Sequence, residues 1–68
     1  MDLHNYFDFV KQLSSDYPRW RKGQAYFNAL YIMRPDLSEK IRGTDIDPFH
    51  LDDRIDEFIR FVCVNWYA

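Results

Sequence analysis

Apolar residues recur along this chain at the three- and four-residue spacing of helices, interrupted where Pro18, Pro35 and Pro48 fall. Leu3, Tyr6, Phe7, Val10 and Leu13 form the first such stripe. Asp2 stands just before it, where a carboxylate accepts from the free amides of a first helical turn. The pattern predicts a helix over 3–15, closed by Asp16-Tyr17-Pro18. From 19 to 33, Trp20, Gly23, Phe27, Leu30 and Tyr31 share one arc, which Tyr26 and Met33 widen. Ala25, Ala29 and Ile32 occupy much of the opposite side, which predicts a central helix contacted from two directions. Gly23 inside it costs about 1 kcal/mol relative to alanine and implies a close neighbour.

A short helix is expected over 36–42, with Asp36 and Glu39 early, Lys40 and Arg42 late, and Gly43 where a left-handed residue ends a helix. Residues 44–50 form a loop in which Ile46 and Phe49 plug the core. A last helix is predicted over 52–67, where Ile55, Phe58, Ile59, Val62 and Trp66 make an inward stripe that Leu51 extends backwards. A rival reading makes Phe58 to Tyr67 a strand, because the segment is dense in β-branched and aromatic residues, although no partner strand is evident. The fold expected is all-α: a compact single-domain bundle of three main helices and one short one.

Phe61, Val64 and Tyr67 project from the far side of the last helix in this reading. Two outcomes are open: the helix is sandwiched by the third helix and the loop, or these side chains form an exposed patch for a second copy or a partner. Cys63, on the same apolar segment, is expected to be a small core hydrophobe.

Composition narrows the classes. The 68 residues are 47% hydrophobic and 19% aromatic, enough to fold one core and no more. A net charge of −2 argues against a general DNA coat, a polybasic membrane anchor or a DNA mimic. One cysteine permits no intrachain disulfide. Neither a basic leader nor an apolar run of membrane-spanning length is evident, so a soluble cytoplasmic protein is expected. The charge is uneven: Arg19, Arg21, Lys22 and Arg34 are the only charges from Tyr17 to Arg34, whereas Pro35 to Glu57 holds eight acids against three bases.

Candidate chemistry is sparse. Near His50, Asp52 and Asp56, or Asp53 and Asp56, or Asp53 and Glu57 would meet on one helical face, a pairing able to hold a divalent cation or share proton-transfer roles, but the spacing matches no EF-hand loop, zincin or Cys/His finger. Acids in a helix's first turn need no more explanation than the positive end they complement. Ser14, Ser15, Ser38, Thr44 and Cys63 are the available nucleophiles, with only His4 and His50 as imidazole bases and no nucleophile elbow. No catalysis, metal or cofactor is expected. Arg19, Arg21 and Lys22 beside Tyr17 and Trp20 mix cations with aromatics as nucleic-acid surfaces do, yet both rings lie on the inferred core arc.

The run Gly23-Gln24-Ala25-Tyr26-Phe27-Asn28-Ala29-Leu30, followed by Glu39-Lys40-Ile41-Arg42-Gly43-Thr44-Asp45-Ile46-Asp47-Pro48-Phe49, resembles a family of short proteins encoded by bacteriophages and prophages. The likeness spans Tyr17 to Phe49. It brings no reaction or ligand, and it implies a small non-virion protein that acts by binding and altering host factors. Two functions follow as expectations. The first is a non-catalytic module that binds a host or phage protein, or a second copy of itself, through Phe61, Val64 and Tyr67 with Arg60 at the rim. The second is a nucleic-acid-associated accessory protein using Arg19, Arg21 and Lys22.

Overall fold

The computed structural model describes residues 2–48 and 52–67. Four α-helices make up the fold, α1 (Leu3–Asp16), α2 (Lys22–Met33), α3 (Pro35–Ile41) and α4 (Ile55–Asn65), with a 3-10 turn at Asp52–Arg54 leading into α4. No strand occurs among the described residues, so the strand reading of Phe58 to Tyr67 gives way to helix. The mixed three- and four-residue spacing of Ile55, Phe58, Ile59, Val62 and Trp66 explains why: a helix gathers them on one side, whereas a strand would put Ile55 and Ile59 on one face and Phe58, Val62 and Trp66 on the other.

Asp2 caps α1 as its position predicts, with Oδ1 accepting from the Asn5 amide at 2.9 Å. Tyr6, Val10 and Leu13 are buried, and Leu3, Phe7 and Phe9 pack against them at the core's edge. Tyr17 N–H closes the helix on the Leu13 carbonyl at 2.8 Å.

The second helix begins at Lys22, three residues later than the pattern predicts. Behind Pro18, the Trp20 amide turns back to the Tyr17 carbonyl at 3.0 Å, and Arg21 is extended at φ −68° and ψ 158°. Arg19, Trp20 and Arg21 therefore belong to the connection. Gly23, Ala25, Phe27, Ala29 and Leu30 are buried on both sides of α2, in keeping with a central helix. At its C-terminal end the two-sided packing fails: Tyr31 and Ile32 are exposed.

Pro35 is the first residue of α3, where its missing N–H costs nothing. Leu37 and Ile41 anchor this helix in the core, and the buried Ser38 hydroxyl donates to the Pro35 carbonyl at 2.9 Å. Arg42 caps the helix and Gly43 follows at φ +75°, a left-handed conformation suited to glycine. The Asp47 carboxylate then accepts from the Gly43 amide at 2.8 Å, and the Thr44 hydroxyl donates to the Ile41 carbonyl. Ile46 packs against the core. The expected Phe49 plug, the Leu51 extension and His50 lie outside the described residues.

Phe58 and Val62 are fully buried, Trp66 nearly so, and Ile59 sits at the core's edge. The helix itself ends at Asn65, and Trp66 and Tyr67 form a turn beyond it. Arg34 holds that turn: its Nη1 donates to the Trp66 carbonyl at 2.7 Å and its guanidinium lies 5.2 Å over the Trp66 ring. Nε and Nη2 of the same guanidinium form a two-pronged pair with the Asp36 carboxylate at 3.0 and 2.9 Å. One arginine at the α2–α3 junction thus fixes where α4 finishes.

Tyr6 is the polar point of the core. Its hydroxyl donates to the Tyr26 carbonyl at 2.8 Å, and its ring lies 5.5 Å from Trp66. Burial first, then the neighbouring Tyr26 and Cys63, push its ionisation far above the ordinary tyrosine value of 10.0. Above that pH the unfolded chain loses this proton and the folded chain keeps it, so stability falls as pH rises, by up to about 1.4 kcal/mol per unit. Tyr6→Phe should cost about 0.5–1.5 kcal/mol at neutral pH, through the lost hydrogen bond. Above pH 10 the gap should close, because the variant has no such proton to lose. Urea titrations of both proteins at neutral and alkaline pH check this; a gap that stays constant would refute it.

Candidate interaction surfaces

Viewed down α4, Val62 marks the inward direction, with Ile55, Phe58 and Trp66 within about 40° of it. The opposite side carries Arg60 and Val64, and Tyr67 follows in the turn just beyond the helix. Val64 is 70% exposed and Tyr67 72%, and Arg60 is also exposed. These three of the four residues expected at an interaction face therefore lie on the surface. Phe61 does not join them: it is partly buried and packs against the core. It lies about 100° to one side of Val62, a flank that the bundle covers.

Cys63, about 100° to the other side, is exposed, which overturns its expected place in the core. The outward stripe is therefore Arg60, Cys63, Val64 and Tyr67, at the spacing of one helical face. Tyr67 is also tied down: its hydroxyl accepts from the Leu3 amide at 3.1 Å while its ring stays outside. That bond satisfies a free amide of α1's first turn and holds the ring in one place.

The second candidate surface is the α1–α2 connection. Tyr17 is 50% exposed, whereas Trp20 is partly buried and packs against the edge of the core, so of the two rings placed on the inferred core arc only Tyr17 lies outside it. The rings stack on each other, with centroids 4.3 Å apart and planes 10° from parallel. Together with Asp16, Pro18 and Arg19 they line an open groove of about 360 Å³. Arg19 lines the groove, and Arg21 and Lys22, which follow it in the chain, are also exposed. Arg19 and Lys22 enter no ion pair among the described residues. The sequence pattern conceals the stack because a helix starting at 19, directly after the Asp16-Tyr17-Pro18 turn, carries Trp20 onto its core arc, whereas the turn extends to Arg21.

Among the described residues the acidic segment gathers no metal site. Asp53, Asp56 and Glu57 are exposed, and no group of three metal-ligating side chains forms among the described residues. His50 and the Asp52 side chain lie outside those residues. Of the candidate nucleophiles, Ser38 and Thr44 donate their hydroxyl protons to backbone carbonyls. His4 pairs with Asp8 at 3.3 Å on the exposed side of α1. Among the described residues, no helix is long and apolar enough to cross a membrane.

No family model matches the chain, and neither a curated protein nor a solved structure shows significant similarity to it.

Proposed function

We propose that the protein is a small interaction module with no reaction of its own, which docks through the outward face of α4 onto another protein. One observation carries this reading: Val64 stands 70% exposed on an element whose other side forms the core, and Tyr67, in the turn just beyond it, is 72% exposed. Apolar side chains held in place at the surface favour an apolar cleft on a partner, and Arg60 supplies a charged rim. The resemblance to phage-encoded proteins favours a host or phage protein as that partner.

The test separates docking from folding. Val64→Asp and Arg60→Glu alter exposed positions, so each should change stability by no more than about 0.5 kcal/mol. The double variant should melt like the parent in circular dichroism and lose a protein partner that the parent retains from nuclease-treated bacterial lysate. Equal retention by both proteins would remove this face from the proposal. Phe61 is a poor choice for this purpose, because its packing against the core mixes folding with binding.

A further inference from the structure

We infer that the α1–α2 connection is a second binding site, for single-stranded nucleic acid, with Tyr17 and Trp20 as the stacking platform and Arg19, Arg21 and Lys22 as the phosphate contacts. Three observations meet there. The parallel rings, 4.3 Å apart, already have the geometry that a base would extend. Tyr17 has one ring face against Trp20 and half its surface open, so its free area lies on the other face and the edges. The groove these residues line, about 360 Å³, has room for a planar heterocycle.

Charge selects the occupant. Three exposed cations flank two aromatics over six consecutive residues, and Asp16 is the one acid lining the groove among the described residues. Asp16 opposes a phosphate and accepts from a base edge that donates hydrogens. The phosphates therefore belong beside Arg19 and Lys22, which have no acidic partner among the described residues. A duplex would present its bases already stacked and closed; a single strand offers free ring faces. An overall charge of −2 keeps general polyanion binding weak, so stacking has to supply what the phosphate contacts do not.

Tryptophan emission reads this directly. The chain has two tryptophans, and Trp66 is 4% exposed, so a base arriving at the platform quenches Trp20. The probe is a mixed-sequence single-stranded DNA of about 12 nucleotides, titrated into the whole protein at low salt and again at about 0.15 M. Saturable quenching is expected at both. Tyr17→Ala should weaken binding at least about fivefold, the loss expected for one stacked base. Arg19→Ala and Lys22→Ala should each lower the slope of log affinity against log salt by about one.

Circular dichroism should show all three variants folded. If Tyr17→Ala unfolds, Arg19→Glu takes its place, and unchanged affinity in that variant overturns the site. Absence of saturable quenching, binding indifferent to Tyr17→Ala in a folded protein, or equal quenching by inorganic polyphosphate or a proline-rich peptide would each do the same. The α4 double variant should bind the oligonucleotide like the parent, so the outcome here is independent of the docking face.

Discussion

Phe58→Ala is expected to leave the chain largely unfolded at room temperature. Phe58 has no exposed surface and meets the Tyr26 ring edge-on at 6.2 Å, between the last helix and the central one. Removing a buried phenyl ring costs about 3–5 kcal/mol, from lost transfer energy and the cavity left behind. A 68-residue chain has a total stability of only about 3–10 kcal/mol. The core has no spare layer to collapse into the gap, since Tyr6, Leu30, Leu37, Ile41 and Val62 are already fully or almost fully buried in it. Thermal melts followed by far-ultraviolet circular dichroism check the effect, and a cooperative transition within a few degrees of the parent would show that Phe58 is not central.

Trp66→Ala should have an effect of similar size. The indole packs 5.5 Å from Tyr6 and lies under the Arg34 guanidinium, so its removal loses about 3–5 kcal/mol of burial and adds the loss of a cation–π contact. For a domain of this size such a loss lowers the melting temperature by roughly 12–40 °C. Trp66→Phe keeps a ring under Arg34 and should fall far less. If the two variants melt alike, neither the bulk of a ring at this position nor its contact with Arg34 contributes to stability.

The inward half of the fold was legible because its signals are local. Asp2 before an apolar stripe, Gly43 after Ile41, and the spacing of Ile55, Phe58, Val62 and Trp66 each rest on helical geometry that a neighbour does not alter. The outward half was not, because exposure depends on which flank a neighbour covers. Phe61 and Cys63 lie symmetrically about Val62 on the helical wheel, so the sequence alone offers no reason to bury one and expose the other. Tyr31 and Ile32 failed for the same reason: an all-round apolar helix predicts contact on two sides, and the bundle supplies the second side only as far as Leu30. At the basic edge, the run from Arg19 read as helical by periodicity, while the Tyr17–Trp20 turn behind Pro18 set the chain extended until Lys22.

Cys63 gives the most direct test of the claim that the outward face of α4 docks onto a protein. It is the chain's single cysteine, exposed on the same stripe as Val64 and Tyr67, and its thiol can be labelled without altering the sequence. Maleimide labelling would be followed for the tagged protein purified alone and for the same protein held in the complex recovered from nuclease-treated bacterial lysate. Docking on this face predicts that the thiol reacts rapidly when free and is strongly protected in the complex. Equal rates in the two states would show that the partner sits elsewhere, and would contradict the account.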